Sequence, residues 1–169
     1  MSTPRAPKVW MVVPCGGSKI DTAAPARDLY TGSLFRHQLA SAEREAAFTA
    51  AELGVECEVL ILSALHGLVT PDMVLAPYNV KMGDAEAVTV ADLAESAEAA
   101  GIEYGDEVYG FLPKAYRAAL AAALDVDLCV PLQDVYEATG GNGDQRGVCS
   151  SLKRTEASCT AELARTAAA

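Results

Sequence analysis

The chain has 169 residues, 51% of them hydrophobic, and a formal net charge of −10. That size suits one domain with one core; no apolar run is long enough to span a bilayer, and the polar start, Met1 to Lys8, lacks a signal peptide's apolar stretch. The acidic balance counts against a basic nucleic-acid coat, and five irregular cysteines (Cys15, Cys57, Cys129, Cys149, Cys159) without a C-x-x-C pair argue against a disulfide framework or zinc ribbon and for a reducing cytoplasm.

Val9 to Val13 is a short apolar run ending at Pro14, the pattern of a buried parallel strand. From Ser33 the periodicity turns helical, with Phe35, Leu39, Ala42 and Ala46 on one face and Gly54 placed to close the helix. Val59 to Leu62 reads as a second buried strand, followed by a long polar loop from Ser63 to Asp84. Thr89 with Asp92 forms an N-cap pair opening a helix to about Ala100, which Gly101 ends. Glu107 to Leu112 reads as a third strand, and Pro113 takes the first position of a helix whose Tyr116, Leu120 and Leu124 share a face. Leu128 to Leu132 reads as a fourth strand, with a loop from Gln133 to Arg146 beyond it. The Ala-rich tail from Ser151 suits a helix that frays at Thr166 to Ala169. No linker or repeat interrupts this order, so residues 1–169 read as a single domain with its core at about 8–150.

Alternation of strand and helix predicts an α/β fold with a mainly parallel sheet flanked by helices. Ligands in such sheets bind beyond the carboxyl ends of the strands. Each unusual loop here follows a strand: Pro14 to Arg27, Ser63 to Lys81, and Gln133 to Arg146. They are expected to converge on one rim. Lys19, Arg27, Arg36, Lys81, Lys114 and Arg146 fall in or beside these segments, which predicts a locally positive mouth suited to a phosphate-bearing substrate.

The first loop opens with Pro14-Cys15-Gly16-Gly17-Ser18-Lys19, which lacks the spacing of a P-loop or a dinucleotide fingerprint. Gly16 and Gly17 let the backbone approach a ligand, and Ser18 and Lys19 suit phosphate. Cys15 reads either as a packed small residue or as a site thiol. Arg27-Asp28-Leu29-Tyr30 and Phe35-Arg36 combine guanidinium groups that fork onto phosphate, a carboxylate and two rings that stack on a base. An Arg27–Asp28 pair that merely pins the loop is the alternative. His66 at the end of the second strand suits proton transfer near neutrality or a structural hydrogen bond. Asn79 in Pro77-Tyr78-Asn79 is a base-edge reader or a turn residue. In the third loop Gln145 is a base reader, Arg146 a phosphate ligand and Glu137 a second candidate acid or base. Without HExxH or Cys/His ligand spacing, a metal-independent site with no cofactor is expected.

Taken together, "PCGGSK", "PARDLYTGSLFR", "LILSALHGLV", "PYNVKM" and "GGNGDQRG" resemble a widespread domain of bacteria, archaea and phages. That domain is distantly similar to the YaaA stress proteins and to the core of archaeosine synthase, and includes antiphage glycosylases that remove a hypermodified base from phage DNA. The resemblance covers about Lys8 to Gly147 and implies a base-directed activity. The transglycosylase barrel of archaeosine synthase has no counterpart in this chain.

The resulting expectation is a DNA glycosylase-like hydrolase that cleaves the N-glycosidic bond of a modified base in phage DNA, flipped out of the stack. Asp28 would stabilise the sugar cation or activate water, and His66 would assist the departing base. Cys15, Gly16, Gly17, Ser18, Tyr30, Phe35, Asn79 and Gln145 would hold the base; Lys19, Arg27, Arg36 and Arg146 would hold phosphates. Two alternatives stand beside it: a base-modifying transferase with Cys15 as nucleophile and Lys19 favouring its thiolate, and a non-enzymatic DNA-binding stress protein.

Overall fold

The structure is a computed structural model and describes residues 5–137. Its elements in chain order are β1 (Val9–Pro14), β2 (Ala24–Pro25), α1 (Ala26–Leu29), α2 (Ser33–Leu53), β3 (Cys57–Ser63), β4 (Gly67–Val69), β5 (Val74–Leu75), α3 (Val90–Ala100), β6 (Glu107–Gly110), α4 (Lys114–Asp127) and β7 (Leu132–Asp134). Five strands form one sheet in the order β4-β3-β1-β6-β7, parallel except for the edge strand β4, while β2 and β5 pair as a small antiparallel ribbon. The fold is thus α/β, as the alternation of strands and helices implies.

β1 is the central strand, and all six of its residues are buried. Its side chains alternate between two helical layers. Val9, Met11 and Val13 pack with Phe35, Leu39, Ala42 and Ala46 of α2. Trp10 and Val12 pack with Leu93 and Ala97 of α3 and Leu120 and Leu124 of α4. A strand buried on both faces needs the continuous apolar run that the sequence shows.

Odd residues of β1 bond toward β3: the Val9 N–H donates to Glu56 and the Cys15 N–H to Leu62, at 2.9 and 3.0 Å. Even residues bond toward β6, as the Phe111 N–H donates to the Val12 carbonyl. Pro14 therefore turns its donorless nitrogen toward β6. Pairing on that side ends at Val12↔Gly110, whereas β3 continues to Pro14↔Leu62. A notch opens where β6 has left and β1 goes on.

Local chemistry explains the ends of the helices. Gly54 closes α2 in the left-handed region at φ 63°, and Thr89 with Asp92 completes the expected capping box of α3. Gly67, at φ 74°, lets the chain reverse after β3, and a Cβ there would lie 2.7 Å from the Ser96 hydroxyl. That hydroxyl accepts the Leu68 N–H at 2.7 Å and so locks the hairpin onto α3.

Three expectations from the sequence need correction. The fourth strand begins at Leu132, not Leu128: α4 runs to Asp127, Leu128 caps it, Cys129 turns left-handed at φ 51°, and the Val130 N–H bonds back to Leu124. The segment Ser63 to Asp84 is not one loop, because it holds β4 and β5. The first helical turn comes before Ser33, in α1. The tail from Ser151 lies outside the described residues. Among the described residues, no helix is long and apolar enough to cross a membrane.

At the end of the sheet where β1 starts, the buried Asp106 carboxylate gathers five donors. Oδ1 accepts from the Lys8 N–H and Arg5 Nη1; Oδ2 accepts from Arg5 Nη2 at 2.6 Å, the Trp10 indole at 2.8 Å and the Glu103 N–H at 3.0 Å. Burial pushes this carboxyl up, but the Arg5 fork and the N–H donors outweigh it and hold it below the ordinary range. Such a group stabilises the fold fully above its unfolded value near 4 and loses that contribution as pH falls through its depressed folded value. Asp106→Asn should therefore cost about 3 kcal/mol at neutral pH. Urea unfolding at a series of pH values should show the wild type and variant converging in acid.

Candidate active site

The turn after β1 closes on itself. The Ile20 N–H donates to Leu29, the Thr31 N–H donates to Ser18, and Lys19 bridges Tyr30 in antiparallel fashion. Gly16 sits where this loop is narrowest: a Cβ there would lie 3.3 Å from Cβ of Tyr30 and 3.5 Å from Cβ of Phe35. The excursion from Cys15 to Tyr30 is thus a folded loop whose return strand carries a tyrosine against its outgoing one.

The notch beyond Val12 holds a cavity of about 300 Å3. The turn Pro14–Ser18 forms one wall, Phe35 and Gln38 of α2 a second, and Pro113 with Tyr116 of α4 a third. It lies between the strands where the chain order reverses about β1, the position at which open α/β sheets bind ligands. Cys15 is half-buried there, its Sγ 3.5 Å from the Tyr116 hydroxyl. Gln38, 1% exposed, donates to the Tyr136 hydroxyl at 2.9 Å and ties α2 to the segment after β7.

A chain of hydroxyls ties Tyr30 to the end of β3. The Tyr78 oxygen lies 2.7 Å from Ser63 Oγ and 2.6 Å from the Tyr30 oxygen. Ser63 is fully buried and also accepts the N–H groups of Leu65 and His66. Lys19 reaches back over these rings, its Nζ 4.3 Å from the centroid of Tyr78 and 5.6 Å from that of Tyr30. Burial lowers the Lys19 ammonium below its ordinary value, and the charge of Cys15 opposes that shift. Burial pushes the Tyr30, Tyr78 and Tyr116 phenols up, so all three are protonated donors at neutral pH.

The structure brings some nominated residues together and separates others. Cys15, Gly16, Gly17, Ser18 and Phe35 bound the cavity, with Lys19 on the same turn. Tyr30 is fully buried with its ring edge on Phe35, so its face is closed to a stacking base. Asp28 is exposed on α1 and bounds a different hollow with Arg36. Arg27 pairs not with Asp28 but with Glu43 at 3.0 Å and Asp72 at 2.8 Å. His66 is exposed and rests its ring on Tyr78 at 5.4 Å; Asn79 is exposed. Gln145 and Arg146 lie outside the described residues. Among the described residues, no group of three or more His, Cys, Asp or Glu could hold a metal ion. A further hollow of about 480 Å3 between α2 and the β6–β7 face has no cysteine, histidine or cation among the described residues that line it.

Gln38 and Tyr116 went unnominated because each sits in a helical stripe that reads as core. A glutamine three residues after Phe35 and one before Leu39 was the available signal.

Residues 10–139 match the DUF6884 family, a family of unknown function. The match covers most of the chain, which therefore belongs to that family. No curated protein and no solved structure matches the chain.

Because Ser63 serves Tyr78 and two backbone N–H groups at once, Ser63→Ala should cost about 1–3 kcal/mol by urea unfolding. A loss below about 0.5 kcal/mol would show that the hydroxyl chain is not structurally important.

Proposed function

We propose that this chain is an enzyme that acts on a nucleobase of DNA, with Cys15 as the reacting group. The observation that carries the reading is the position of Cys15: half-buried in a cavity at the switch point of the sheet, with a lysine on its own turn and a phenol 3.5 Å from its sulfur. A cation near a thiol favours the thiolate, the form that attacks. The nucleobase as substrate rests on the likeness of the strand-end motifs to base-acting proteins, and on a cavity about the size of the smaller ligand sites.

In this reading the Cys15 thiolate supplies an electron pair to an electrophilic ring carbon and forms a C–S bond. The ring π electrons move onto a ring heteroatom, which takes a proton from the Tyr116 hydroxyl. Phe35 offers an apolar wall to the ring, and the base must leave its stack to arrive.

A second reading, hydrolysis of the N-glycosidic bond with Asp28 serving the sugar, is favoured by one observation. Asp28 and Arg36 share a hollow of about 320 Å3, and Arg36 directly follows the Phe35 that lines the cavity.

One assay separates the two readings. DNAs carrying different modified bases are incubated with the protein, and altered or released base and alkali-labile sites are measured by mass spectrometry and gel. Cys15→Ser should lower turnover by roughly 10³-fold or more while Asp28→Ala leaves it within a few-fold. The reverse pattern establishes the hydrolytic reading, and full activity in Cys15→Ser removes the thiol from the mechanism.

A further inference from the structure

Lys19 is held in place by aromatic faces. Its Nζ lies 4.3 Å from the Tyr78 centroid, within the range at which a ring quadrupole attracts an ammonium. No ion pair to Lys19 is present among the described residues, and its polar contact is the Gly17 carbonyl at 3.5 Å. A lysine on a glycine-containing turn has many rotamers open to it. Its return over Tyr78 therefore needs a cause, and the ring supplies one.

The ring in turn cannot swing. Its hydroxyl is fixed between Ser63 at the end of β3 and Tyr30 at the end of α1, and His66 abuts it edge to face with ring planes at 84°. Lys19 stands on the same turn as Cys15, in a cluster with the phenols of Tyr30, Tyr78 and Tyr116. Of these, Lys19 alone brings a positive charge.

We infer that Tyr78 is the positioning residue of the site: its ring face folds Lys19 back over the turn that carries Cys15, and the Ser63–Tyr78–Tyr30 hydroxyl chain holds that face in place. This rests on the reading of Cys15 as the reacting thiol. A residue in the second polar segment, far from the Cys15 turn in sequence, thereby governs the reactivity of the thiol through the lysine.

The experiment is alkylation of the full chain by iodoacetamide over a pH series, resolved by site with mass spectrometry, with exposed Cys129 as internal reference. Lys19→Ala should slow alkylation of Cys15 about three- to tenfold at neutral pH. Tyr78→Leu, which removes the ring, should slow it as much; Tyr78→Phe, which keeps the ring but cuts it from the hydroxyl chain, should slow it less than Tyr78→Leu does. Tyr78→Met replaces the leucine variant if that chain does not fold. If Tyr78→Leu or Tyr78→Met alkylates like the wild type while Lys19→Ala is slow, the positioning role is overturned. If Lys19→Ala alkylates like the wild type, the inference falls with the coupling it assumes. Neither result touches the proposed activity, which stands or falls on turnover of Cys15→Ser.

Discussion

Everything in this molecule is arranged about one strand that has no free side. β1 is covered on both faces by helices and on both edges by β3 and β6. A chain that starts with its innermost strand must build outward in one direction and then cross to the other. That reversal leaves a gap at the carboxyl end, and the unequal lengths of the two flanking pairings widen it. Pro14 and Cys15 lie at this point. The central strand of the fold thus aims the turn that bounds the cavity, and its pairings on both edges hold that turn in place.

Polar groups secure the two ends of the sheet by different chemistry. At one end the Asp106 carboxylate draws together Arg5, Trp10 and the backbone N–H groups of Lys8 and Glu103. At the other, Ser63, Tyr78 and Tyr30 use neutral hydroxyls for the same purpose. The difference suits their surroundings. A carboxylate beside Lys19 would pair with its ammonium, whereas phenols pushed up by burial remain neutral and give Lys19 a face to rest on.

The framework was legible because its signals are local and strong. Val9 to Val13 is apolar throughout, Thr89 and Asp92 lie at capping distance, and Gly54 ends a clear amphipathic stripe. Leu128 to Leu132 misled because apolar residues at a helix end and in a short strand look alike, and the left-handed turn at Cys129 leaves no mark in composition. Within the site, the strand-end turn could be read from its glycines, but its neighbours could not. Arg27 stands next to Asp28 in sequence, yet a single helical turn sends their side chains apart, and its partners Glu43 and Asp72 come from distant segments. Tyr116 and Gln38 carry a helical period, and periodicity cannot tell a core face from a cavity wall.

The placement of Trp10 has an optical consequence. It is the one tryptophan in the chain, 1% exposed on β1, and its indole is bonded to Asp106. Emission excited at the red edge, beyond tyrosine absorption, comes from that single fluorophore at the heart of the sheet. Its colour and intensity therefore register solvent entry into the central strand and the charge of one carboxylate, with no label attached.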